Sequence, residues 1–189
     1  MNHKLFCTLG LAVSALVGFA ANPAGAATTA AGPYYANPSW DQQLPASTRF
    51  IVLSNWIDVD HSSGGAAVLD RETGLVWEQS PSASTINWDN AHGNCIELRT
   101  GGRLGWRLPT VQELASLVDP SVHFPGPTLP SGHPFSNVQS DRYWSATTQE
   151  TIANFAFDVN FFGGFVNADS KGSDHFAWCV RGRQGADPQ

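Results

Sequence analysis

The stretch from Trp88 to Leu98 places apolar residues at spacings of three and four, which is the period of a helix with one buried face. Asn87 stands directly before this stretch and can cap the N-terminus of the helix with its side chain. Cys95 shares the apolar face with Trp88 and Ala91. We therefore predict a first helix here, with the sulfur of Cys95 facing the core.

A second helix is predicted to begin after Thr110, because Glu113 follows it at the spacing of a capping box. Asp119 and Pro120 should end this helix, since proline cannot continue the helical hydrogen-bond pattern. An apolar stripe on the helix indicates that one of its faces is buried. The stripe consists of Val111, Leu114, Leu117 and Val118.

Short apolar runs separated by Gly, Asn, Asp and Ser surround the two helices and predict strands. Together with the helices, these runs indicate an α+β domain with a mixed antiparallel sheet. The expected strands cover residues 67–70, 75–79, 143–147, 154–161, 165–169 and 176–181.

The strand over 154–161 alternates large apolar residues with small or polar ones, the pattern of a half-buried antiparallel strand. We predict that its apolar set faces the core and its other set the solvent. Gly163 and Gly164 follow and can supply the positive φ angles of a tight hairpin. The apolar set is Phe155, Phe157, Val159 and Phe161, and the alternating set is Ala156, Asp158 and Asn160.

A long segment over 120–141, rich in Pro, Gly and His, connects the second helix to the third strand. It shows little periodicity and should run over the surface, because a buried loop would leave backbone polar groups without partners. Loops of this length are commonly functional.

The N-terminus reads as a cleavable secretory signal. Lys4 supplies a positive charge, an apolar run covers 5–21, and the small residues of Ala24-Gly25-Ala26 suit a signal peptidase, so we place cleavage near Ala26. The alternative, a retained anchor, is disfavoured because the run falls short of the roughly 20 apolar residues that span a bilayer. No membrane span is expected in the mature chain.

The predicted organisation is a signal over 1–26, a flexible arm or linker over 27–47, one domain over 48–183 and a tail over 184–189. Acidic residues outnumber basic ones by 16 to 10, which gives a net charge of −6 at pH 7. A basic footprint is missing, so no nucleic-acid partner is expected.

The chain contains three cysteines, and Cys7 should leave with the signal. Cys95 and Cys179 remain, and an even number in an oxidising compartment favours a disulfide between them. The alternative is a pair of buried free thiols.

Five motifs in this order resemble the Lcl C-terminal domain family, over roughly 68–182 of this chain. The family takes its name from the C-terminal domain of a collagen-like adhesin of Legionella, although this chain has no Gly-X-Y segment. The motifs are LDRETGLVW at 69–77, Trp88 with Ala91 and Cys95, GWRLPT at 105–110 with Glu113-Leu114, YWSAT at 143–147 and WCVRG at 178–182.

The resemblance implies a C-type-lectin-like fold, distantly related to C-type lectins and to formylglycine-generating enzymes. It also implies a disulfide from a helix to the last strand, which supports the pairing of Cys95 with Cys179. The formylglycine-generating relatives bind copper through a reactive cysteine pair. Because the disulfide would consume both mature cysteines here, we predict that the chain is not an enzyme.

No resident cofactor is predicted, with calcium kept as an alternative. Asp58, Asp60 and Ser62 have the spacing of the first ligands of a calcium loop, but Gly64 comes one place late and Leu69 replaces the closing glutamate. The Glu-Pro-Asn and Gln-Pro-Asp triplets of sugar-binding lectins are also missing. The dispersed histidines do not have the spacing of a zinc site.

Candidate ligand-binding residues lie on the late strands and their hairpin. Amides and carboxylates can exchange hydrogen bonds with sugar hydroxyls, while an aromatic ring covers the apolar face of the sugar. The alternative interpretation is an ordinary solvated sheet face. The candidates are Asn154, Asp158, Asn160, Phe162, Asn167 and Asp169.

These features together predict an exported, non-enzymatic module that binds a glycan or a cell-surface or extracellular protein. Its binding surface would combine the late strands with the 120–141 loop, and its destination would be the periplasm, the cell envelope or the medium. Two alternatives stay open: a degenerate enzyme of the formylglycine-generating type, and a structural envelope protein.

Overall fold

The computed structural model describes residues 44–53 and 67–182. The signal, the arm up to residue 43, the Asp58, Asp60 and Ser62 candidates for calcium, and the tail lie outside the described residues. All described residues fall within one compact unit of the chain. Within them, no helix is both long and apolar enough to cross a membrane.

Three α-helices and eight strands are found in the described ranges, a content that makes the domain α+β. The helices are α1 (Ala46–Arg49), α2 (Trp88–Glu97) and α3 (Val111–Ala115). The strands are β1 (Phe50–Leu53), β2 (Ala67–Asp70), β3 (Val76–Glu78), β4 (Trp106–Arg107), β5 (Arg142–Thr148), β6 (Phe155–Asn160), β7 (Phe165–Ser170) and β8 (Val180–Arg181).

The strands form two antiparallel sheets. The larger has the order β1-β2-β3-β8-β4, so the last strand of the chain is inserted between β3 and β4. The smaller has the order β5-β6-β7 and is a simple meander.

Each face of the smaller sheet contributes apolar side chains to a buried cluster. Tyr143 and Val159 belong to one buried cluster, together with Leu114 of α3. Trp144, the neighbour of Tyr143, belongs to a second cluster with Ala156 and with residues of α2 and β4. Because successive strand residues point to opposite faces, one strand can supply both clusters.

A disulfide joins α2 to the residue directly before β8. Cys95 and Cys179 are bonded, with their Cα atoms 5.3 Å apart. The predicted pairing is confirmed, and it links the first long helix to the last strand of the larger sheet.

The two predicted helices are present with their predicted caps. Asn87 accepts a hydrogen bond from the backbone N–H of Asn90, and Thr110 forms a complete capping box with Glu113. The second helix is shorter than expected, because regular α-helix ends at Ala115 and the chain continues in turns.

Two features of the 154–165 region differ from the prediction. Ala156 and Asp158 are fully buried, whereas Phe155 and Phe157 are only half-buried. The single-face interpretation was wrong because the second apolar cluster covers the other face of β6. The hairpin loop is also wider than a two-residue turn, and only Gly164 of the two glycines has a positive φ.

Candidate binding site

A cleft of about 300 Å³ opens between the 118–128 segment and the β6–β7 hairpin. We call it the aromatic cleft. The residues that define it are Val118, Asp119, Pro120, Val122, His123, Phe124, Thr128 and residues 162–165.

Backbone hydrogen bonds hold the two walls of the aromatic cleft together. The N–H of Thr128 donates to the carbonyl of Phe161 over 2.8 Å, and the N–H of Gly126 donates to the carbonyl of Phe162 over 3.2 Å. A side chain at Gly126 would collide with the Phe161 carbonyl, so glycine permits this close approach. The walls are therefore fixed by main-chain contacts and do not depend on the exposed side chains.

Three phenylalanine rings stand around the aromatic cleft with large parts of their surface in solvent. Phe124 is 72 % exposed, Phe162 44 % and Phe165 63 %. The rings of Phe124 and Phe162 lie 5.7 Å apart between centroids, which is a stacking distance. Exposed clusters of apolar side chains are common at interaction surfaces of proteins, because water solvates them poorly.

The polar groups of the aromatic cleft are few. The hydroxyl of Thr128 is buried and has no hydrogen-bond partner among the described residues. One carboxylate oxygen of Asp119 accepts hydrogen bonds from the backbone N–H and the hydroxyl of Ser121. Asp119 is the one carboxylate among the lining residues, which include no lysine or arginine.

Four of the predicted polar residues, Asp158, Asn160, Asn167 and Asp169, meet on one face of the smaller sheet. Asp158 pairs with Asn167 across β6 and β7, and Asp169 pairs with Ala156 two residues further along the ladder. We call this surface the polar face, and it consists of Arg142, Asp158, Asn160, Asn167, Asp169 and His175.

Side chains of the polar face bind one another. Arg142 places its Nε 4.0 Å from Asp158 Oδ1 and its Nη1 3.3 Å from Asp169 Oδ2. His175 Nε2 lies 3.2 Å from the same oxygen of Asp169. The amide of Asn167 contacts Asp158 over 3.5 Å. Most of the hydrogen-bonding groups that we predicted to bind a ligand thus interact with neighbouring residues.

Burial raises the pKa of Asp158, and the neighbouring His175 and Arg142 offset this only in part. Its Oδ2 atom is buried without a partner in the described part of the chain. Burial acts in the same direction on the pKa of Asp169, but the N–H of Ser170 and the nearby His175 outweigh it, so this pKa is lowered. The two carboxyls of one face therefore differ in acidity.

The remaining candidates occupy different places. Phe162 lines the aromatic cleft. Asn160 accepts a hydrogen bond from the N–H of Phe162 over 2.9 Å and so shapes the hairpin. Asn154 is exposed before β6 and belongs to neither surface. Within the ranges that the structure describes, no three His, Cys, Asp or Glu side chains are arranged to hold a metal ion.

Phe124 and Phe165 were missed as site residues by the sequence analysis. Phe124 lies in the 120–141 loop, in the run Phe124-Pro125-Gly126-Pro127. An aromatic residue followed by prolines in a long loop is a usable signal, because a core aromatic residue normally lies in a helix or strand pattern.

Fold and surface together define a disulfide-bonded α+β domain that displays an aromatic cleft beside a polar sheet face. The chain belongs to the Lcl C-terminal domain family, whose model matches residues 66–181. The function of this family is unknown. The matched residues contain both surfaces. Among curated proteins, none matches the chain.

Proposed function

We propose that the chain is an exported, non-catalytic binding module that recognises a glycan or a protein ligand through the aromatic cleft. The observation that carries this proposal is the exposure of Phe124, Phe162 and Phe165 around a preformed concave surface. Pre-formed, mostly apolar clefts with a few polar groups are typical of ligand sites.

Export is supported by the disulfide, since such bonds persist in oxidising compartments. The signal predicted for residues 1–26 would direct the chain to the same destination. A non-catalytic role is supported by the same bond, because it leaves neither Cys95 nor Cys179 as a free thiol. We also propose that the fold is C-type-lectin-like, on the basis of its helix-to-strand disulfide and its two antiparallel sheets.

The polar face would serve as the border of the ligand site. Asn160 pairs with Phe165 across the hairpin, so the polar face begins where the aromatic cleft ends. A ligand larger than the cleft would reach the half-buried side chains of Asn167 and Asp169.

The test is a screen of the oxidised mature chain against a glycan array and a displayed peptide library, with and without calcium. We expect Phe162→Ala to lower the affinity for a ligand of the cleft about tenfold or more. Removal of a buried aromatic contact from an interface costs about 1–2 kcal/mol or more of binding free energy. Leu104→Ala is the matched control, because Leu104 is 64 % exposed and does not line the cleft. A ligand insensitive to both Phe124→Ala and Phe162→Ala would place the site elsewhere.

A further inference from the structure

Among the residues that the structure describes, β7 is an outer strand of the smaller sheet, with β6 on one side only. The ladder fixes which of its backbone groups point outward. The N–H of Lys171 donates to the carbonyl of Asn154, whereas the N–H of Gln149 donates to the carbonyl of Phe155. Even-numbered residues of β6 therefore bond to β7, and the bonds of an antiparallel pair alternate along the strand.

The even-numbered residues of β6 pair with odd-numbered residues of β7. The N–H and C=O groups of Val166, Ala168 and Ser170 therefore point away from β6. The groups of Ser170 are satisfied locally, by the Asp169 carboxylate and by the N–H of Ser173. For Val166 and Ala168, no further hydrogen bond is formed within residues 44–53 and 67–182. Val166 is 50 % exposed. β7 therefore presents an open edge, and such an edge can template another strand.

The open edge starts at the aromatic cleft. Phe165 is the first residue of β7 and also lines the cleft. At about 3.3 Å per residue, Ala168 is roughly 10 Å further along the strand. An extended chain that pairs with Val166 and Ala168 can therefore reach the cleft with the next few residues.

We propose that the ligand is an extended segment of a protein, which adds a strand to β7 and places an apolar side chain in the aromatic cleft. Main-chain bonds to an edge combined with a pocket for a side chain are a recurrent mode of peptide recognition. The inference rests on the proposed function and chooses between its two ligand classes.

The distribution of polar groups favours a peptide over a sugar. A sugar needs several free donors and acceptors, but Arg142, Asp158 and Asp169 are engaged with one another. The cleft itself is lined mainly by aromatic and aliphatic side chains, and Asp119 is the one carboxylate among its lining residues. A segment with a Lys or Arg beside its apolar residue would complement this charge.

The experiment uses random peptides of about 12 residues displayed on phage and selected on the oxidised mature chain. The selected peptide is then synthesised with an N-methyl group at each backbone position in turn. Methylation at two positions that are two residues apart should weaken binding about tenfold, because their N–H groups face the outward carbonyls of Val166 and Ala168. Methylation at the position between them should have little effect, because only every second N–H faces the strand. Equal effects at all positions would overturn the proposal.

A variant of the chain gives a second measurement. Ala168→Pro removes an outward N–H without removing a bond to β6, and proline is tolerated at such edge positions. Ala168→Pro should lower the affinity for the selected peptide about tenfold. Ala168→Ser keeps the N–H and should leave the affinity unchanged. Circular dichroism checks that both variants are folded. If Ala168→Pro does not fold, the methylated peptides still test the proposal.

The remaining outcomes separate this inference from the proposed function. If a glycan binds and its binding depends on Phe162, while no peptide is selected, the inference is overturned and the proposed binding function is kept. If the chain binds neither a glycan nor a peptide, both the inference and the proposed function are contradicted. A dimer in sedimentation that Ala168→Pro dissociates would identify a second copy of the chain as the occupant, which also contradicts the inference.

Discussion

At the scale of single residues, we expect the carboxyl of the half-buried Glu78 to couple stability to pH. Its Oε2 atom accepts a hydrogen bond from the N–H of Cys179 over 2.8 Å, directly beside the disulfide. Burial raises the pKa of Glu78 to about 7, although the Cys179 N–H opposes the shift. The folded protein therefore keeps a proton there that the unfolded chain releases near pH 4.5.

We predict that Glu78→Gln flattens the pH dependence of stability. In the wild type, stability should fall as the pH rises from about 4.5 to about 7, because the unfolded chain loses its proton first. The melting temperature of the variant relative to the wild type should therefore increase over this window. Glu97→Gln makes the same chemical change at an exposed position of α2 and is the control. Parallel curves for Glu78→Gln and the wild type would contradict the prediction.

At the scale of elements, α3 depends on a short polar network at its start. Thr110 accepts a hydrogen bond from the N–H of Glu113 over 3.2 Å, and Glu113 accepts one from the N–H of Thr110 over 2.8 Å. Both guanidinium Nη atoms of Arg107 contact the same carboxylate over 2.7 Å. The GWRLPT motif thus joins β4 to α3, and α3 leads directly into the aromatic cleft at Val118.

We predict that Thr110→Ala lowers the free energy of unfolding by about 1 kcal/mol, the usual contribution of an N-cap. Urea unfolding followed by circular dichroism measures this change. Thr151→Ala removes the same atoms from an exposed turn and should change stability by less than about 0.5 kcal/mol. Equal effects of the two substitutions would argue against the capping role.

Local signals in the sequence predicted the elements that local contacts determine. The caps at Asn87 and Thr110 were recognisable, and so were the three described strands of five or more residues, β5, β6 and β7. β4 was missed because its two residues are too few to show a pattern of their own, and its pairing with β8 defines it. β1 was also missed, although its apolar run is as long as β2. The sixth predicted strand is regular only over Val180–Arg181, with single bridges before it.

The candidate site was predictable only in part for the same physical reason. Asp158 and Asn167 were found because they stand on strands with a clear alternation. The interactions of Asp158 with Arg142 and His175 depend on register and on a distant segment, which the sequence pattern does not contain. The aromatic cleft requires two segments about 40 residues apart in the chain to meet, so only Phe162 of its three rings was selected.

At the scale of the whole molecule, the disulfide joins residues that are 84 positions apart in sequence. In the chain-entropy model, a closed loop of this length stabilises the fold by roughly 4–5 kcal/mol through restriction of the unfolded chain. We predict that the Cys95→Ala and Cys179→Ala double variant loses stability by this order of magnitude. Chemical denaturation of both proteins, with and without reductant, measures the loss. Reductant should lower the stability of the wild type and leave that of the double variant unchanged.

The same bond encloses the whole aromatic cleft, because residues 118–165 all lie between Cys95 and Cys179. Phe124 is the most exposed aromatic residue of that enclosed stretch. If an extracellular protease cut the chain there once, both pieces would stay covalently attached through the sulfur bridge. The nicked molecule would therefore not shed a fragment until it met a reducing environment.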